Sequence, residues 1–302
     1  MAEKKVAILR KWFSKDQLAF RVFISELFGT LFMTVIITCA ACQVVLSRGK
    51  VGNMVSGYFG TIFGVTFAIY VSFKGSGAHI NPIVTIVLVV MGQIQRRLLI
   101  VYWVAQYVGA FIGAAIAYGI YFEAFNTFDG GNRTVFGENG TGGIFSSFPQ
   151  NENMSIVTCI FDQLLSTSIL IIGILTIIDP SNMQVPPLLM PPVAGMLVGM
   201  VIASLGHNCS APLNPAKDLS SRILMVIAGW GAEPFSHRDY TWFYIPLIVP
   251  HVGALLGMTV YKTFAKAVLV SDKADEREEE EKLPSDRSVL SKLMDSEKAT
   301  LT

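Results

Sequence analysis

"SGAHINPIVTIVL" (Ser76–Leu88) and "SAPLNPAKDLSSRIL" (Ser210–Leu224) decide how this chain folds. Each sets Asn-Pro, a strong helix start, before a helix-compatible stretch. Asn is a good N-cap, and Pro at the first helical position has no N–H to leave unsatisfied. The stretches, 81–92 and 214–228, are too short to cross about 30 Å of hydrocarbon, which takes roughly 20 residues. They stand in a chain of 302 residues that is 52% hydrophobic and only 15% charged. A typical soluble domain is about a quarter charged. The two stretches therefore read as re-entrant half-helices in an all-α, multi-pass membrane protein, whose spans satisfy their own backbone groups.

Six full spans surround them: 20–46, 55–73, 98–122, 155–178, 187–206 and 241–267. Residues 1–19 form a basic N-terminal segment, with Ile8, Leu9, Trp12 and Phe13 suggesting a helix on the membrane surface. No cleavable signal precedes the first span. Residues 123–154 are a loop rich in Gly, Asn, Ser and Thr, and 269–302 are an acidic tail of disordered composition. Lys74, Arg96, Arg97, Lys262 and Lys266 share one side with the N-terminal cluster, against Arg48, Lys50, Arg133 and Arg238 on the other. Both termini are then cytosolic and the 123–154 loop is outside. That loop carries three glycosylation sequons, at Asn132, Asn139 and Asn153, which points to a eukaryotic plasma membrane.

The halves repeat. Glu26 stands 55 residues before Asn81, and Asp162 stands 52 before Asn214. Each half (about 20–122 and 155–268) gives a span bearing an acid, a second span, an Asn-Pro half-helix and a third span. Three spans per half invert the second copy, an architecture that builds a shared site near the midplane. Asn81, Pro82, Ile83 and Asn214, Pro215, Ala216 then meet there, with two amide donors and two positive helix ends. The backbone just before each Asn (Gly77, Ala78, His79, Ile80; Ser210, Ala211, Pro212, Leu213) must be non-helical. Irregular backbone at that depth has to line a wet cavity, so its carbonyls form a ladder of acceptors for a neutral hydroxylic solute.

From residue 20 to 268 the sequence resembles the aquaporin (major intrinsic protein) family, and most closely its aquaglyceroporin branch. The residues carrying the branch resemblance are Asp218 beside Lys217, Arg222 four further on, Pro246-Leu247 and the long third outer connection. The resemblance implies a homotetramer with one pore per subunit, passive flux of water, glycerol and small polyols through a lipid bilayer, and no cofactor. Cation exclusion by half-helix dipoles is already established for pores of this type. It also implies that Glu26 and Asp162 hold the re-entrant segments by accepting backbone N–H bonds. Asp218 and Arg222, spaced to pair on a helix, brace the second half-helix.

Two departures stand out. The first box ends in Ile83 where the family has Ala, a helical position that need not touch solute. Lys217 stands where the family's outer constriction usually has Arg, exchanging a planar fork of donors for a compact point charge. The family's offsets give Thr61, Ile202 and Ala211 as the other constriction residues, with Gly60 the alternative to Thr61. Thr, Ile, Ala and Lys make a wider ring than bulky aromatics would, open to larger polyols or to a small monocarboxylic acid such as lactate. His79 supports the backbone by a hydrogen bond or acts as a pH sensor.

Other classes fit less well. A net charge of +1 says nothing for nucleic acid. Cys39, Cys42, Cys159 and Cys209 read as small packing residues, and His207, His237 and His251 are too scattered for a metal site. No paired catalytic motif such as HExxH or GxSxG occurs, so neither enzyme nor metal chemistry is expected. A non-conducting adhesion or scaffold protein and a coupled secondary transporter remain as alternatives.

Overall fold

The computed structural model describes residues 17–151, 153–265 and 267–268. The expected N-terminal surface helix and acidic tail lie outside these. Among the described residues all regular structure is helical.

Among the described residues nine helices set the order: α1 (Leu18–Leu46), α2 (Met54–Ser76), α3 (Pro82–Val90), α4 (Leu99–Ile120), α5 (Phe122–Asp129), α6 (Ile156–Ile178), α7 (Met190–Leu205), α8 (Pro215–Met225) and α9 (Tyr244–Val260). Helical turns at Gly142–Phe145 and Glu233–Ser236, a 3-10 turn at Arg96–Leu98 leading into α4 and a π-helical turn at Val226–Trp230 after α8 complete the described elements up to Met258. The described residues from Thr259 onward belong to a second unit.

Caps explain the boundaries. Asn53 and Ser56 form a reciprocal capping box on α2, and Gly77 ends that helix at φ 88°. Ser155 accepts from the Thr158 N–H at the start of α6. Pro191 sits in the first turn of α7, and Pro82 and Pro215 open α3 and α8 behind their Asn caps.

Among the described residues five helical stretches are long and apolar enough to cross a membrane, and α7, at 16 residues, is a shorter apolar helix. The expected 187–206 span is helical only from Met190, because Pro186 and Pro187 precede it and Pro191 and Pro192 suit only a first turn. The expected 123–154 loop holds two helical pieces, the end of α5 and Gly142–Phe145.

Close helix pairs meet at glycines, as small residues permit in membranes. A Cβ on Gly109 of α4 would lie 2.4 Å from the Leu27 carbonyl oxygen of α1. Gly195 of α7 stands against the Ile62 carbonyl of α2, and Gly257 of α9 against the Ser168 carbonyl of α6, each at 2.5 Å. The contacts α1–α4, α1–α2, α2–α7 and α6–α7 make the frame, and α8 packs on α4.

Candidate pore at the meeting of the half-helices

Asn81 and Asn214 do two jobs with one amide. The Asn81 oxygen caps α3 through the Ile83 N–H at 3.1 Å, and the Asn214 oxygen caps α8 through the N–H groups of Ala216 and Lys217. Their Nδ2 groups then cross over: Asn81 donates to the Leu213 carbonyl and Asn214 to the Ile80 carbonyl, each at 2.8 Å. The two half-helices thus meet start to start, each holding the other's entry strand. The second N–H of each amide is left for the cavity that both residues line.

The entry strands reach that geometry through left-handed backbone at Gly77, Ala78 and Ile80, and at Ser210 and Ala211. For non-glycine residues this costs about 1–2 kcal/mol each. Carbonyls of the expected ladder at Ile80 and Leu213 are the ones taken by the opposite Asn amides, and the Ala211 carbonyl accepts from the Leu213 N–H.

A cavity of about 570 Å³ runs beside this crossing. It is lined by both Met54 and Ser76, the first and last residues of α2, so it follows that helix along its whole length, about 34 Å at 1.5 Å per residue. Thr61, Ile202, Ala211 and Lys217 line it together, as do all eight entry-strand residues. Gly60 does not: a Cβ there would lie 2.3 Å from the Ala40 methyl, so it faces α1. Ile83 is fully buried away from the cavity, consistent with a packing role.

The Lys217 Nζ donates to the Phe145 carbonyl at 2.9 Å. Neither the Arg133–Asp129 nor the Arg222–Asp218 ion pair involves Lys217, which has no carboxylate partner among the described residues. The neighbouring Asp218 is committed elsewhere. One oxygen accepts from Arg222 Nε at 2.6 Å; the other accepts from the Ser147 N–H at 2.8 Å and its hydroxyl at 2.5 Å. Arg222, fully buried, also donates to the Pro234 carbonyl at 2.6 Å and to the Ser147 carbonyl, and lies over the Phe148 ring. Asp218 and Arg222 thereby fasten the 145–148 segment, whose Phe145 carbonyl holds the lysine. Sequence reasoning missed this segment; its one signal was the apolar Ile144-Phe145 pair inside a polar loop.

Glu26 accepts from the Ser76 hydroxyl at 2.5 Å, the N–H groups of His79 and Ile80 at 2.9 and 2.7 Å, and the Gln106 amide at 2.8 Å. This is the expected brace, extended by Gln106, which the sequence did not single out. Asp162 differs. Its interactions run to the side chains of Asn208 and Cys209, not to backbone N–H groups, and its Oδ2 has no hydrogen-bond partner. The inverted copies are thus braced unequally. His79 stacks on Tyr102 with ring centroids 4.2 Å apart, and its Nδ1 lies 3.1 Å from the Thr85 hydroxyl. Asn132, Asn139 and Asn153 are exposed, and Asn139 accepts from Arg48 at 2.7 Å.

A multi-pass helical membrane protein in which two capped half-helices cross beside a long cavity is the class this geometry defines. The family model for Major intrinsic protein matches residues 13–261. Aquaporin-3 of Milnesium tardigradum is 40% identical over 87% of this chain and 84% of its own length. Aquaporin-9 of Homo sapiens is 36% identical over 86% and 87%. The X-ray structure of the aquaglyceroporin from Plasmodium falciparum superimposes with TM-score 0.73 at 28% identity, over 83% of this chain and 98% of that one. The chain belongs to the major intrinsic protein family, and its resemblances fall on the aquaglyceroporin branch.

Proposed function

We propose that the chain is a passive channel for water, glycerol and other small polyols, with residues 20–268 as the channel domain. The observation that carries this is the cavity spanning the length of α2 beside the Asn81–Asn214 crossing. A solute that sheds water there finds entry-strand carbonyls as acceptors and two amide N–H groups as donors. The two helix starts disfavour cations at the same point. Thr61, Ile202, Ala211 and Lys217 form the outer constriction. The lysine, which lines the cavity and has no carboxylate partner among the described residues, also draws small monocarboxylates such as lactate.

The protein functions as a homotetramer in the plasma membrane, with both termini cytosolic. Asn132, Asn139 and Asn153 are then on the glycosylated side, and His79 is a candidate pH sensor at the cytosolic vestibule. The deciding experiment is stopped-flow volume change of proteoliposomes in gradients of sorbitol, glycerol and lactate. Fast, non-saturating glycerol and water flux without ion dependence is the expected result. Flux equal to empty vesicles would make the chain a non-conducting scaffold, and saturating, ion-coupled flux a transporter. Water permeability that is flat over about pH 5–8, the range in which histidine usually switches, would remove His79 as a sensor.

A further inference from the structure

A second cavity, about 280 Å³, adjoins the first. Ser76, Gly77, Gln93 and Ile94 line both, so it opens at one mouth of the candidate pore, away from the Lys217 ring. Arg21 of α1 and Lys74 of α2 line it, and none of its described lining residues is Asp or Glu. The Arg21 Nε is buried and has no hydrogen-bond partner among the described residues. An orphaned buried donor is rare, and an ion or water commonly accounts for one.

Two helix starts reach the same cleft. α1 begins at Leu18 after Gln17, and the turn into α4 begins after Gln95; neither start has a side-chain cap. Leu18, Gln95 and Leu98 all line the cleft. Uncapped first-turn N–H groups at the positive end of a helix favour an anion. The Gln95 Oε1 accepts from Arg97 Nε at 2.8 Å, so the amide NH2 is the group Gln95 has left to donate. The negative end of α2 also lies here, and Lys74 in its last turn offsets it.

We propose that this cleft binds a phosphate group, carried by an anionic phospholipid headgroup or free in solution, between Arg21, Lys74 and the open starts of α1 and α4. The full chain is reconstituted in phosphatidylcholine vesicles with and without phosphatidic acid, and its thermal midpoint is measured. Inorganic phosphate is added to pure phosphatidylcholine vesicles in a separate arm, against sodium chloride of equal ionic strength. Each arm is repeated with Arg21→Gln and with Lys74→Gln, the latter an exposed residue whose loss the fold tolerates. Bound phosphate raises the midpoint by about 2–4 °C, and both substitutions remove the rise. A rise with phosphatidic acid alone assigns the site to lipid; a rise with inorganic phosphate assigns it to the free anion. No rise in either arm, or one that both variants retain in full, overturns the site and leaves only general attraction of a basic rim. Because the midpoint needs no flux, this result stands or falls separately from conduction.

Discussion

The Lys217 ammonium spends one N–H on the Phe145 carbonyl, and the residue lines the cavity. If it attracts carboxylates as proposed, Lys217→Ala removes a hydrogen bond to a charged group, worth about 1.5–3 kcal/mol. Lactate flux should fall about 10- to 100-fold, with glycerol and water far less affected; tracer uptake into proteoliposomes reads both. Lactate flux unchanged in that variant would end the charge-attraction idea. Asn214→Ala should be costly for another reason. It removes the α8 cap, worth about 0.5–2 kcal/mol, and leaves the Ile80 carbonyl without its donor. Asn81→Ala should cost nearly the same, since its bonds mirror these. Thermal midpoints of the two variants in one detergent check that symmetry.

Among elements, α8 and the 145–148 segment depend on a buried pair. Asp218→Asn leaves Arg222 uncompensated and fully buried, a loss of about 3–5 kcal/mol, visible as a lowered melting temperature or absent folded protein. An Asp218→Asn protein that melts like wild type would show the pair to be dispensable. At the α6–α9 contact, Gly253→Ala drives a Cβ to 2.0 Å from the Thr167 hydroxyl and 2.8 Å from the Leu164 carbonyl. Overpacking of that kind costs about 1–3 kcal/mol, again read by melting. These elements divide by how locally they are encoded. The half-helices were legible because Asn-Pro is a local start signal, and the α2 and α6 boundaries because Asn53 and Ser155 are local caps. Which of Thr61 and Gly60 lines the cavity was not legible, since one residue of register depends on how α2 faces α1. Nor was Gln106 on Glu26, or Ser147 on Asp218, each set by tertiary packing across 80 and 71 residues. The unequal bracing of Glu26 and Asp162 was hidden for the same reason, both being lone acids in apolar runs.

For the whole molecule, passive conduction through the cavity predicts a low activation energy for water flux, of the order of viscous flow, and no change when the membrane potential is varied. Native mass spectrometry of the full chain from mild detergent should give four copies; a monomer would remove the homotetramer. The crossed amides have one more consequence, which concerns synthesis. Asn81 must wait for Leu213, 132 residues later in the chain. At about 5–20 residues per second that is roughly 7–26 s, during which the first box has lost its helix-to-helix partner and must stay wet or be shielded. The amino-terminal half therefore enters the bilayer with its central amide unfinished, and only translation of residues 213 and 214 seals it. Ribosomes stalled between the two boxes should yield nascent chains whose α3 is open to solvent exchange, and release past Asn214 should close it.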